Sequence, residues 1–145
     1  MPTSPAKPKK RKATAAEKRQ AWYRQQQAAG PGIFVALETP NPLNNAQGYH
    51  HGKAAQRKRR RQVAELAVRS LANRPPLPVQ VKLTRYSAGT LDAWDGLRAA
   101  LKNVLDGVAD AYGVADNDPR FQPVEPQQEK APPRCHGVRI ELQAA

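Results

Sequence analysis

The segment from residue 79 to residue 112 carries the clearest structural pattern in the chain and runs VQVKLTRYSAGTLDAWDGLRAALKNVLDGVADAY. Its first eight residues alternate apolar and polar side chains, which is typical of a strand with one buried face. From about Leu91 to Tyr112 the apolar residues fall on one side of a helix: Leu97, Leu101, Val104, Leu105 and Val108. Gly113 follows at a position suited to a left-handed helix end. We therefore expect a strand followed by an amphipathic helix.

Segments on either side of this unit complete a small sheet. Residues 33–38 are apolar and β-rich, and residues 137–143 alternate again. A second long helix follows Gly52, with an apolar stripe at Val63, Leu66, Ala67, Ser70 and Leu71. The proline-rich stretch 119–133 predicts no more than a ragged edge strand around residues 120–124. We expect an α/β (α+β) domain over residues 31–145, with a small mixed sheet and two long packed helices.

The amino-terminal residues 1–30 are predicted to form a basic tail outside this domain. Residues 1–13 are rich in proline and lysine and carry nothing to bury, which is typical of a disordered arm. Thr14 and Glu17 form a capping box that opens a short helix to about Gln27. The run PKKRK at residues 8–12 would suit either a phosphate-binding arm or a nuclear import signal, and we favour the arm.

The positive charge is concentrated in the first half of the chain. The formal net charge is +12, and residues 1–74 hold sixteen Lys and Arg against three Glu. A field of this size attracts polyanions, which favours nucleic acid over a membrane surface or a merely solubilising charge. The start of the second helix carries the cations expected to contact DNA phosphates: Lys53, Arg57, Lys58, Arg59, Arg60 and Arg61.

The expected compartment is the cytoplasm. No apolar segment has the length of a signal peptide or of a membrane span. The single cysteine, Cys135, permits no internal disulfide, as is usual in a reducing compartment.

All six aspartates lie within a window of 27 residues: Asp92, Asp95, Asp106, Asp110, Asp116 and Asp118. Carboxylates clustered in a protein built to attract polyanions indicate a bound cation, and hard oxygen ligands suit Mg²⁺, with Mn²⁺ as a substitute. A purely structural interpretation stands beside this one. In it Asp92 caps the helix, Asp95 interacts with the helix dipole, and Lys102 pairs with Asp106 at i,i+4.

The run from Leu91 to Asp110, followed by Gly113-Val114-Ala115-Asp116-Asn117-Asp118-Pro119, resembles the signature region of the RusA-like Holliday junction resolvases of bacteriophages and prophages. The resemblance extends from about Pro40 to Leu142 and includes Pro42-Leu43-Asn44. Two departures stand out. Gly96 occupies a position where family members generally carry Asn, and the proline-rich stretch 119–133 replaces a smoother strand.

The resemblance implies Mg²⁺-dependent hydrolysis of phosphodiester bonds in branched DNA, such as a four-way junction, by a homodimer that makes one cut per subunit. By position, Asp92 and Asp95 are similar to the family's first metal-binding carboxylates, and Lys102 to its active-site lysine. Asp116 or Asp118 is similar to its distal acid. A helix of roughly 16 residues is about 24 Å long and separates Asp95 from Asp116. We therefore hypothesise that two copies pack this helix antiparallel, so that each site combines acids of both chains.

Other functions have less support in the sequence. A non-catalytic DNA-binding protein with the same fold is the main alternative, and a basic nuclear or RNA-binding protein ranks below it. His50-His51 and Cys135-His136 lack the spacing of a zinc site, and no glycine-rich loop predicts a nucleotide cofactor. Aromatic side chains could stack on unpaired bases, although such residues more often belong to a core: Trp22, Tyr23, Tyr49, Tyr86 and Trp94.

Overall fold

A computed structural model describes residues 11–40, 50–92 and 95–145. Its elements, in chain order, are α1 (Ala15–Ala28), β1 (Ile33–Val35), α2 (His50–Arg69), β2 (Val79–Ser87), α3 (Gly96–Tyr112), β3 (Phe121–Pro123), β4 (Gln127–Lys130) and β5 (Gly137–Ala144). The predicted α+β class with a mixed sheet is confirmed. Most of the basic arm, the Pro42-Leu43-Asn44 segment, Tyr49 and Trp94 lie outside the described residues.

The sheet is built around β2 and β5. Its order is β1-β5-β2-β3, and β4 pairs with β2 further along the same edge as β3. The strand β5 runs antiparallel to both β1 and β2, whereas β3 and β4 run parallel to β2. The prediction of only one ragged strand in this region was wrong. The second, β4, is polar and mostly exposed, and its backbone pairing with Thr84–Ser87 holds it in place.

The main core lies between one face of the sheet and the helices α2 and α3. Val79, Val81 and Leu83 of β2 face it, as do Val138 and Ile140 of β5. The predicted apolar stripe of α3 is confirmed, with Leu105 only half-buried. The stripe predicted for α2 is wrong, because Ala64 and Val68 are the buried residues and Leu66 is 67% exposed. The reason is that α2 packs mainly on α3, through small side chains, and not broadly on the sheet.

The two helices make a close backbone contact at Gly107. A Cβ atom placed there would lie 2.2 Å from the carbonyl oxygen of Arg61 and 2.8 Å from the Cβ of Ala64. Only a residue without a side chain allows this approach. The contact brings the basic helix α2 directly against the last two turns of α3.

The helix α1 covers the other face of the sheet. Trp22 lies 5.6 Å from the Phe34 ring and 6.0 Å from the Tyr86 ring, both edge-to-face, and Tyr23 joins the same cluster. Arg139 is buried beneath α1, where its guanidinium donates to the carbonyl of Gln26 at 2.7 Å. The edge-to-face contacts between the aromatic rings stabilise the fold beyond the burial of their area. Packed structure therefore begins before residue 31, the domain boundary predicted from the sequence.

The predicted start of α1 is confirmed. The Thr14 hydroxyl accepts a hydrogen bond from the Glu17 backbone N–H at 3.1 Å. The Glu17 carboxylate pairs with Arg11 at 2.9 Å. None of the helices in the described ranges is both long and apolar enough to cross a membrane.

Candidate functional site

Lys102 lies between two carboxylates on the exposed side of α3. Its ammonium is 3.2 Å from Asp106 Oδ1 and 3.2 Å from Asp116 Oδ2. The pair with Asp106 is the i,i+4 contact that the helix pattern predicts. The hydrogen bonds that Lys102 donates, first to Asp116 and then to Asp106, raise the pKa of Lys102, so the side chain is held as an ammonium.

Asp116 reaches Lys102 because the chain folds back after α3. Gly113 has φ +68° and its N–H donates to the carbonyls of Ala109 and Asp110, which ends the helix as predicted. The carboxylate of Asp116 therefore lies beside the middle of α3 and not beyond its C-terminal end. The expectation that the full helix length separates Asp116 from Asp95 is wrong for this reason.

Arg61 of α2 clamps a third carboxylate, Asp110. Arg61 Nε is 2.5 Å from Asp110 Oδ2, and its terminal nitrogen is 2.8 Å from Oδ1, a bidentate arrangement. The hydrogen bonds from Arg61 lower the pKa of Asp110, and the same bonds raise that of Arg61. The close approach at Gly107 places α2 near enough for this contact.

These side chains enclose an open cleft of about 250 Å³, called here the acidic cleft. Its polar wall consists of Arg61, Lys102, Asp106, Asp110 and Asp116. Three carboxylates face two cations, so the cleft has a local charge of about −1 within a chain whose net charge is +12. A site of this kind favours a further cation.

The structure separates the two candidates for the distal acid. Asp116 faces Lys102, whereas Asp118 accepts hydrogen bonds from the backbone N–H and the guanidinium of Arg120, at 2.9 to 3.1 Å. These bonds lower the pKa of Asp118. Of the two, only Asp116 belongs to the acidic cleft.

Asp92 and Asp95 precede α3. The helix begins at Gly96 and not near Leu91 as predicted, because the Gln128 side chain accepts from the Leu91 N–H at 2.9 Å and donates to its carbonyl at 2.7 Å. These bonds tie Leu91 to β4 and take it out of the helix. Asp95 is then the N-cap residue, without a side-chain capping bond, and Asp92, which the structural interpretation placed at the N-cap, precedes it by three residues.

Asp95 shares a helix face with the lysine of the cleft. Seven residues separate Asp95 from Lys102, which is about two turns and roughly 10 Å along the axis. The side chain of Asp95 is exposed, as is that of Asp92. The structure thus places both predicted acids at the N-terminal end of α3, the helix that carries Lys102.

The donor set of the acidic cleft fits Mg²⁺ in its chemistry. Within the described residues, no three His, Cys, Asp or Glu side chains form a group that could hold a metal ion. Mg²⁺, however, is commonly bound by one or two carboxylates, with waters and substrate phosphates completing its shell. Asp106 and Asp116 already share one cation, the Lys102 ammonium. In the sequence Asp106 stands out by its place in the aspartate window and by its i,i+4 spacing from Lys102, but it is not among the metal ligands that the resemblance implies.

The predicted DNA-binding cations divide into two groups. Arg60 donates to the carbonyl of Glu38 at 2.8 Å, and Arg61 is engaged with Asp110. The side chains of Arg57, Lys58 and Arg59 are exposed on the same helix, and Lys53 is half-buried. The exposed group can reach phosphates, whereas Arg60 and Arg61 hold α2 in position.

Two other sets of residues that the sequence singled out lie away from this cleft. Cys135 is buried beside Phe34 and Tyr86, and burial raises its pKa, which opposes formation of a thiolate. The aromatic residues of α1 pack on the sheet.

No family model, curated protein or solved structure matches this chain.

Proposed function

We propose that this protein is a Mg²⁺-dependent endonuclease that hydrolyses phosphodiester bonds in branched DNA, as in the resolution of Holliday junctions during recombination and repair. One observation carries the proposal. The Lys102 ammonium lies 3.2 Å from a carboxylate oxygen of Asp106 and 3.2 Å from one of Asp116, in an open cleft. The basic helix α2 forms one wall of this cleft through Arg61. A lysine, paired acids and a polyanion-binding surface are the parts that metal-assisted phosphodiester hydrolysis needs.

Asp106 and Asp116 would hold the metal ion. Asp95, which the resemblance implies as a ligand together with Asp92, lies eleven residues and roughly 16 Å along the helix axis from Asp106, so it could not share that ion within one chain. When bound, Mg²⁺ supplies Lewis acidity and lowers the pKa of an attacking water. Lys102 is 60% exposed, so its charge is available to a phosphate at the mouth of the cleft. There it would neutralise the charge that develops on the phosphate oxygens during hydrolysis.

The exposed cations of α2 would supply affinity. Arg57, Lys58 and Arg59 are exposed at the N-terminal half of the helix, ahead of Arg61 at the cleft. Contacts of this type bind the phosphate backbone and fix the orientation of DNA without reading its sequence. The DNA would run along α2 so that one phosphate meets Lys102.

We further propose that the active form is a homodimer that makes one cut per subunit. The antiparallel packing of α3, with Asp92 and Asp95 of one copy joining the distal acid of the other, stays a prediction. The position of Asp116 beside its own Lys102 favours a simpler arrangement, in which Asp106 and Asp116 of one chain form the metal site without acids of a second copy. We assign the activity to the cytoplasm, and to that of the bacterial host if a phage encodes the protein.

A non-catalytic DNA-binding protein is the second candidate. The observation in its favour is that every carboxylate of the acidic cleft is ion-paired, Asp106 and Asp116 with Lys102 and Asp110 with Arg61. Gly96, in place of the family's Asn, also favours it. In this function the aspartates would only fix the helices, and DNA would bind along α2.

Cleavage of a synthetic four-way junction tests the proposal. The purified protein is incubated with the junction in Mg²⁺ or EDTA, next to Asp116→Asn and the matched control Glu129→Gln on β4. Paired nicks that require Mg²⁺, are lost in Asp116→Asn and persist in Glu129→Gln support an endonuclease. Binding in a gel-shift assay without nicks in Mg²⁺ or Mn²⁺ favours the non-catalytic candidate.

A further inference from the structure

A second cleft lies on the opposite side of Lys102. It measures about 230 Å³ and separates α3 from the edge formed by β3 and the segment that follows it. Its walls are mostly apolar and include Val81, Leu83, Leu101, Leu105 and Val124. We call it the apolar cleft. Lys102 lines both clefts, so α3 forms a ridge between them with Lys102 on its crest.

The mouth of the apolar cleft is charged. Arg98 lies one turn before Lys102, and its terminal nitrogen is 2.6 Å from the Glu125 Oε2 atom on the facing wall. The two side chains are 54% and 64% exposed, and ion pairs this exposed contribute little to stability. The pair can therefore open for a ligand at little cost, and its donor and acceptor groups then face the cleft.

We propose that the apolar cleft receives the base of an unpaired nucleotide that neighbours the phosphate at Lys102. The inference rests on the function proposed above and names the feature of DNA that the site recognises. A nucleotide joins an anionic phosphate to a base with apolar faces and a polar edge. Lys102 would meet the phosphate, the apolar walls would cover the faces, and Arg98 and Glu125 would pair with the edge.

The same arrangement accounts for a preference for branched DNA. In a duplex the faces of each base are covered by stacking, so a base can enter the cleft only after it leaves the stack. Unpairing costs least at a branch point, where stacking is already interrupted. Occupation of the apolar cleft would thus select the substrate by structure, while α2 binds any backbone.

The test compares two DNAs with the same number of phosphates. One duplex carries a single unpaired thymidine, and in the other that nucleotide is abasic. Affinities are measured by fluorescence anisotropy in EDTA, so that cleavage plays no part. Wild type should bind the base-containing DNA about five- to tenfold more tightly. This is the low end of the range for stacking of one base on an aromatic ring, because the walls of this cleft are aliphatic.

Filling the cleft should remove this difference. Val124 is 40% exposed at the cleft, so Val124→Trp places an indole there with little effect on the core. This variant should bind both DNAs with the wild-type affinity for the abasic one. Val124→Glu should likewise show no difference between the two DNAs, although its added negative charge should weaken the binding of both. The matched control is Ala72→Trp, at a separate cleft near Leu71 and Ile140, and it should keep the difference. Thermal unfolding followed by circular dichroism verifies that each variant folds.

Equal binding of the two DNAs by wild type overturns the inference, even if the junction is cut. So does a base preference that survives in Val124→Trp, or a change of oligomeric state in that variant, which would assign the cleft to a second copy. A base preference without Mg²⁺-dependent cleavage supports the apolar cleft and refutes the endonuclease. Absence of binding to either DNA overturns both proposals.

Discussion

Replacement of Gly107 by alanine tests the contact that sets the geometry of the acidic cleft. The new Cβ would lie 2.2 Å from the Arg61 carbonyl oxygen, whereas close C···O contacts in proteins are about 3.3 Å or longer. The obstacle is backbone, so it cannot rotate away. The helices α2 and α3 must therefore separate by roughly 1 Å, and Arg61 moves away from Asp110.

The expected loss in the free energy of unfolding follows from two costs and one opposing gain. Overpacking of a core contact costs about 1–3 kcal/mol, and we take the upper end because both partners are helical backbone. A separation of roughly 1 Å also forfeits a quarter to a half of each dispersion contact across the interface. Alanine regains about 1 kcal/mol over glycine inside a helix. We expect a net loss of about 2 kcal/mol, or about 6 °C in Tm for a chain of this length.

Chemical denaturation and thermal unfolding followed by circular dichroism measure this loss. The matched control is Gly52→Ala in α2, where an added Cβ meets nothing within 4 Å. That variant should be as stable as wild type or more stable by up to about 1 kcal/mol. If Gly107→Ala stabilises the protein as Gly52→Ala does, the helices are not in close contact at this point and the reasoning fails.

Three further predictions concern charged side chains. Asp116→Asn should lower the single-turnover rate of junction cleavage by at least about 100-fold, and in EDTA it should bind the junction about threefold more tightly than wild type. Asp118→Asn, with the same change of net charge, should cut within a few-fold of wild type and gain less affinity; equal behaviour of the two variants contradicts the assignment. The free energy of unfolding should decrease as the pH is lowered below about 4, because the pKa of Asp110 is lowered in the folded state and its stabilisation is lost when it is protonated. Urea titrations should show a smaller decrease in Asp110→Asn. Arg59→Ala should weaken junction binding and reduce the slope of log K against log salt by about 0.9, whereas Arg60→Ala should mainly lower Tm, because its guanidinium holds a backbone carbonyl.

The fold was predictable where burial imposes a period on the sequence. The strands β2 and β5 alternate because one face packs on the helices, and α3 repeats its apolar residues for the same reason. The strand β4 has no such pattern, because backbone pairing with β2 holds polar, exposed residues in place. The start of α3 depends on Gln128, which is 37 residues from Leu91. Periodicity within a segment cannot show a contact of that kind.

The candidate site divides in the same way. The pair of Lys102 with Asp106 is local and follows from helix spacing. The contact of Lys102 with Asp116 requires the chain to reverse at Gly113, and the contact of Arg61 with Asp110 spans 49 residues. The sequence showed which residue types gather in one window. It could not show that Asp118 turns towards Arg120 while Asp116 turns towards the lysine.

The charges of the acidic cleft explain why Asp116→Asn should bind DNA more tightly without metal while it loses activity. With three carboxylates and two cations the cleft carries about one negative charge, and this charge repels a phosphate at Lys102. At a separation of about 6 Å in a water-like medium the repulsion is about 0.7 kcal/mol, or roughly threefold in affinity. Removal of the Asp116 charge abolishes this repulsion, and so does a divalent cation held by Asp106 and Asp116. Metal and DNA should therefore each raise the affinity for the other, as linkage requires. A protein that used these aspartates only to fix its helices would gain DNA affinity from the substitution and would have no cleavage activity to lose. The cleavage activity of Asp116→Asn, compared with its affinity for DNA, therefore decides between the two candidate functions.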